Sequence, residues 1–147
     1  MQVFIVGSPL ETAMILDKRR LNKQIIECRQ ILDALNGKKA WSNHPCILQY
    51  KGYKEWLELY TYCLEEYYDF KYHNCTDMLY LAKEWSERAF QYKPPFHSEE
   101  YFVQMKRRLY TKDNNHYKQW ADLGESEENW YFVENEWRIY KNGKRLK

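Results

Sequence analysis

No apolar run in this 147-residue chain is longer than a few residues, far short of the ~20 that a bilayer-spanning helix needs, so no membrane-embedded segment is expected. The opening MQVFIVGSPLE lacks both a basic start and a long apolar segment, which argues against secretion. CxxC pairs are also lacking. The four cysteines, Cys28, Cys46, Cys63 and Cys75, are scattered, as suits reduced, mostly buried thiols in the cytoplasm, or the host cytoplasm if the chain is viral. Cys63, His73 and Cys75 match the spacing of no common structural zinc site, and neither a metal nor another cofactor is expected. A net charge of +2 rules out a bulk polycation. There is no internal repeat, no low-complexity tract and no motif as specific as a Walker A loop.

What the chain has is apolar and aromatic area. Hydrophobic residues make up 44% and aromatics 18%, with 14 Tyr and 6 Trp, enough to build one core without staples. The length fits a single domain over residues 1–147. The basic residues are grouped: Lys18, Arg19, Arg20 and Lys23, then Lys106, Arg107 and Arg108, then Lys141, Lys144, Arg145 and Lys147. Such groups on a nearly neutral protein make either a local phosphate-binding face or ordinary solvated helix ends.

The pattern predicts an all-α, mainly helical fold with a small carboxyl-terminal β-hairpin. After an extended apolar lead over Gln2 to Val6, Ser8, Pro9 and Glu11 form a capping box with proline at the first helical position. Asp17 is placed to cap a long helix whose apolar stripe is Leu21, Ile25, Cys28, Leu32 and Leu35, stopped by Asn36 and Gly37. Lys38 to Tyr50 reads as a loop. Helical spacing resumes in Trp56, Leu59 or Tyr60, Cys63 and Tyr67, continues from Thr76 to Phe90, and returns behind a Ser98 cap with Phe102, Met105 and Leu109 facing inward. Helices are thus expected near 9–15, 18–36, 53–71, 77–90 and 99–110. A loop over 114–129 leads to strands at Trp130 to Val133 and Glu136 to Tyr140, with an Asn-Gly turn at Asn142 and Gly143 just after them.

At about 100° per residue, Arg20, Lys23 and Glu27 share a sector of about 60° beside the apolar stripe. A carboxylate flanked by two cations is either a solvated helix face or a site that handles charge. The segment LDKRRLNKQIIECRQILDALNGKK, Leu16 to Lys39, resembles the long first helix of the endonuclease V type of pyrimidine-dimer DNA glycosylase and AP lyase from phages and bacteria, with the glutamate in register and NGK closing the helix. Asn43-His44-Pro45, followed by Trp56 and a Tyr-rich helix, is similar to relatives in which a His-Pro step follows that helix. Trp130-Tyr131 is similar to an aromatic-basic tail whose Trp-Tyr pair lies near the lesion. The resemblance is good from about residue 1 to 70 and looser after it.

The resemblance implies an endonuclease V-like helical bundle that acts as a monomer on double-stranded DNA with a damaged or modified base, without metal or cofactor. It makes the α-amine of Met1 the nucleophile on the sugar, and gives Glu27 the tasks of stabilising the cationic sugar and moving protons. An α-amine ordinarily titrates near ~8, below a lysine, and supplies neutral nucleophile near neutral pH. Arg20 and Lys23, with Lys18 and Arg19 beside them, would hold flanking phosphates. The chain departs from the family twice. The family enzyme exposes a threonine once its initiator methionine is removed, whereas Gln2 is bulky and Met1 is expected to stay. Ile26 and Gln30 stand where the phage enzyme has arginines, so DNA contacts must also come from elsewhere.

His44 fits either a phosphate or flipped-base contact or a capping role. Trp130, Tyr131 and Trp137 fit either stacking on an extruded base or the packed lid of a hairpin. The alternatives to a base-excision enzyme are a DNA-binding protein without catalysis and a base-modifying transferase on the same scaffold.

Overall fold

The structure is a computed structural model that describes residues 1–38 and 43–147. It contains helices α1 (Pro9–Ile15), α2 (Lys18–Leu35), α3 (Pro45–Gln49), α4 (Lys54–Tyr72), α5 (Met78–Ala89) and α6 (Glu99–Lys112). Short 3-10 turns follow at Phe90–Tyr92 and Lys118–Leu123, and strands β1 (Glu128–Val133), β2 (Glu136–Lys141) and β3 (Lys144–Arg145) close the chain. The expected mainly helical architecture with a small carboxyl-terminal sheet is therefore present.

Local chemistry explains most boundaries. The Ser8 hydroxyl accepts the Glu11 amide at 3.1 Å and Pro9 occupies the first turn of α1, where its missing N–H costs nothing. Ser98 accepts the Tyr101 amide in the same way at the start of α6. Asp17 precedes α2 but does not cap it with its side chain. Its carboxylate is taken instead by Arg20 and by the Tyr117 hydroxyl, charge-assisted pairings that occupy the oxygens a cap would use. The expected loop over 38–50 holds a helix in its second half: Pro45 opens α3 and the His44 ring nitrogen Nδ1 accepts the Cys46 amide at 3.1 Å. The first part of that loop, 39–42, lies outside the described residues.

Helix α4 is the centre of the packing and contacts α1, α2 and α5. Its Trp56, Leu57, Tyr60, Cys63, Leu64 and Tyr67 are buried, and Trp56 stacks on Tyr60 and on Tyr50. Each such large apolar side chain contributes on the order of 1.5–3 kcal/mol. The α2 stripe differs from the expected one. Gln24 and Ile31 are buried with Leu21, Cys28 and Leu32, while Ile25 and Leu35 are only half-buried. Gln24 turns inward because the extended amino-terminal segment needs hydrogen-bond partners: its amide donates to the Gln2 carbonyl at 3.1 Å and its oxygen accepts the Phe4 amide. Of the three α6 residues expected inside, Met105 and Leu109 are buried and Phe102 is half-buried.

Strands β1 and β2 pair antiparallel with Trp130 opposite Ile139 and Tyr131 opposite Arg138. Glu134 and Asn135 both have positive φ, the two-residue turn whose twist suits a hairpin. Asn142 and Gly143 form a second such turn, which carries β3 back against Tyr140 and Lys141. The hairpin is thus a three-stranded sheet, and β1 packs on α3 and α6.

Cys28, Cys46 and Cys63 are buried, and burial raises all three thiols, Cys46 and Cys63 to about 12; Cys75 is exposed. Among the described residues no helix is long and apolar enough to cross a membrane. His97 is 3% exposed, its ring parallel to Tyr101 and its Nε2 sharing a hydrogen bond with the Tyr50 hydroxyl at 2.9 Å. Burial, helped by the Lys93 charge, lowers its pKa from 6.5 to about 3. The unfolded chain therefore binds a proton between those values that the folded chain refuses. Stability should fall as pH drops below 6.5, with this one group contributing a slope approaching about 1.4 kcal/mol per pH unit. Denaturant titrations at pH 6.5 to 5 should lose that component in His97→Gln; an unchanged slope would contradict it.

Candidate functional site

A cavity of about 260 Å³ opens where the amino-terminal segment, α2, α6 and β1 meet. Met1, Gln2 and Phe4 form one wall, Arg19, Arg20, Lys23, Gln24 and Glu27 a second, and Arg108, Lys112 and Asn129 the rest. Positions 20, 23, 24 and 27 are one turn apart and so lie on one face of α2, while 108 and 112 do the same on α6.

The first residues are fixed from several sides. The Tyr131 hydroxyl donates to the Met1 carbonyl at 2.7 Å, and the Gln2 amide donates to the Tyr101 hydroxyl at 3.1 Å and to the Trp130 carbonyl at 3.2 Å. Tyr60 donates to the Phe4 carbonyl and Thr12 accepts the Val6 amide at 3.1 Å. Chain ends commonly fray; this one has its backbone groups taken by buried side chains.

Among the described residues, five cations, Arg19, Arg20, Lys23, Arg108 and Lys112, line the cavity with the single carboxylate of Glu27. The Glu27 side chain is only 17% exposed, and its oxygen lies 3.9 Å from the ammonium of the mostly exposed Lys23. Arg20 is held in place: it donates to both oxygens of Asp17 at 3.3 Å and to the Lys112 carbonyl at 3.2 Å. Burial works to raise the Asp17 pKa, but the Tyr117 hydroxyl and Arg20 more than offset it and keep the carboxyl below its ordinary value. Burial lowers the Lys112 pKa, and the neighbouring Arg108, Lys23 and Arg20 charges lower it further. Arg108 is lowered chiefly by burial. Crowded, partly desolvated cations repel one another, and an anion entering the cavity relieves that repulsion. Chemically, the arrangement can hold phosphate next to a primary amine and a carboxylate.

Of the residues expected from sequence, Met1, Arg19, Arg20, Lys23 and Glu27 come together here. Lys18 does not line the cavity; its ammonium sits over the Tyr72 ring at 5.1 Å. His44 caps α3, and its ring meets Tyr131 edge-on at 5.8 Å. Burial, then the charge of the amino terminus, hold its pKa below 6.5. Tyr131 is 3% exposed and packed, so stacking on an extruded base is not its role in this conformation; it reaches the site through the Met1 carbonyl. Trp130 lies outside the cavity. Its indole donates to Glu128 at 3.0 Å and lines a shallower recess with Glu100, Gln104 and Arg107. Trp137 packs against Tyr101 and Phe132.

Sequence reasoning missed Gln24, Lys112 and Asn129, and noticed Arg108 only as part of a basic cluster. A glutamine inside an apolar stripe and two cations four apart were the available signals. Among the described residues no group of three or more His, Cys, Asp or Glu is arranged to hold a metal ion.

Comparison with curated proteins and with solved structures finds no match to this chain. A family profile described as pyrimidine dimer DNA glycosylase matches residues 1–79, just over half of the 147. The matched stretch includes the amino-terminal segment and the whole of α1 to α4, and with them Met1 and Glu27. The chain therefore belongs to the pyrimidine dimer DNA glycosylase family.

Proposed function

We propose that this protein excises a damaged base, such as a pyrimidine dimer, from double-stranded DNA and then cuts the abasic strand, using the α-amine of Met1 as nucleophile and Glu27 as the acid-base group. The observation that carries this reading is the cavity itself, which Met1 and Glu27 line together with five cations. The amine attacks C1′ of the sugar and the glycosidic electron pair leaves with the base, which takes up a proton; the nitrogen lone pair then forms the imine as the C1′–O4′ bond breaks, and the ring oxygen takes up the proton that the nitrogen gives up. Glu27 stabilises the positive charge on the sugar and carries protons as the C2′ hydrogen is lost and the 3′ phosphate departs. Arg19, Arg20, Lys23, Arg108 and Lys112 hold the flanking phosphates and place the sugar beside the amine.

Borohydride should trap a covalent adduct between the free-amine protein and an abasic-site duplex, because reduction fixes the imine; acetylation of the amino terminus should abolish trapping. Glu27→Gln should cut strand cleavage by about 100-fold or more while DNA affinity changes little, since shape is kept and charge is lost. If the acetylated protein traps equally well, the nucleophile is a lysine, and Lys23 and Lys112 are the candidates that line the same cavity. If neither form traps or cleaves, the protein binds DNA without catalysis.

Affinity for duplex DNA should fall steeply with salt as phosphate contacts release counterions. Arg108→Gln combined with Lys112→Gln should flatten the slope of log affinity against log salt by about 1.8, while Lys18→Gln should leave it unchanged. An unchanged slope in the double variant would place the phosphate-binding face elsewhere.

A further inference from the structure

The carboxyl-terminal sheet lines the cavity through Asn129 and, through Tyr131 and the Trp130 carbonyl, holds the segment that carries the amine. Tyr131 reaches from β1 to the Met1 carbonyl at 2.7 Å across 130 positions of sequence. The next residue is seated as deeply: Gln2 is 4% exposed and its amide bridges the Tyr101 hydroxyl on α6 and the Trp130 carbonyl on β1. Gln24 closes the other side through the Gln2 carbonyl and the Phe4 amide. With the carbonyl of Met1 and the side-chain amide and carbonyl of Gln2 held, rotation about the Met1 Cα–C bond is the main backbone freedom left to the amine.

We propose that Tyr131 and Gln2 are positioning residues for the Met1 amine, so that the carboxyl-terminal sheet serves the reaction by aiming the nucleophile rather than by stacking on a base. This rests on the reading of Met1 as nucleophile. A nucleophile must approach its carbon within a narrow range of distance and angle, and an error of an ångström costs up to about 100-fold in rate. A free chain end would lose that geometry to thermal motion. Here the hydroxyl of a buried tyrosine, itself braced by the His44 ring at 5.8 Å, removes it.

The test compares the full chain with Tyr131→Phe, which deletes only the hydroxyl, and with Thr12→Val, which removes a bond to the same segment at Val6, farther from the cavity. The rate of borohydride trapping is measured at saturating abasic-site duplex, with DNA affinity and melting temperature recorded for each variant. Tyr131→Phe should trap on the order of tenfold more slowly or worse, with DNA affinity within about twofold of the parent. Thr12→Val should trap within about twofold of the parent whatever stability it loses. If Tyr131→Phe is too unstable to assay, Gln2→Asn, too short to span Tyr101 and Trp130, carries the same expectation. Trapping at the parent rate in Tyr131→Phe, or slowing of both tyrosine and threonine variants in step with lost stability, would overturn the positioning role alone. Absence of amine-dependent trapping in the unmodified protein would overturn the nucleophile reading and the positioning role together.

Discussion

The amino-terminal segment of this protein is extended but belongs to no sheet, and the place of Met1 and Gln2 at the cavity depends on how the backbone of those first residues is satisfied. Buried N–H and C=O groups without partners would each cost on the order of 1–3 kcal/mol. A strand normally meets this need through a neighbouring strand. Here side chains from four different helices and from β1 do so, with Gln24 taking one donor and one acceptor, and Thr12, Tyr60, Tyr101 and Tyr131 supplying the rest. One consequence is that α2 carries a glutamine where its periodicity calls for an apolar residue. Another is that the carbonyl of Met1 is held by the hydroxyl of a buried tyrosine.

The second constraint is electrostatic. Desolvation and mutual repulsion lower Lys112, and desolvation lowers Arg108, so these cations are held under tension that a polyanion would release. The Asp17, Arg20 and Tyr117 cluster fixes one of the charges rigidly, whereas Lys23 is left mostly exposed. Among the described residues that line the cavity, Glu27 is the one carboxylate beside these cations.

Helices α1, α2, α4, α5 and α6 could be read from sequence because each carries a local signal: Ser8 and Ser98 caps, a Pro9 start, a Gly37 stop, and apolar spacing over several turns. Helix α3 could not, since five residues give no periodicity and its cap is an imidazole nitrogen rather than a hydroxyl or carboxylate. The α2 half of the site was legible for the same reason as the helix. Lys18 falls outside the cavity because grouping by sequence ignores rotation: at 100° per residue it lies about 140° away from Lys23. The α6 half was not legible. Arg108 and Lys112 meet α2 only through tertiary packing across more than 80 positions, and nothing local marks Tyr131 as a partner of Met1 rather than of a base.

Family membership and cavity together make the α-amine of Met1 the centre of this account, and its identity can be read from a single bond. The borohydride-reduced complex with an abasic-site duplex should be digested with nuclease and protease, and the peptide carrying the sugar remnant identified by mass spectrometry. The account predicts the remnant on the α-nitrogen of Met1, in the amino-terminal peptide; a remnant on the side chain of Lys23, Lys112 or any other lysine, with the amino-terminal peptide unmodified, would contradict it.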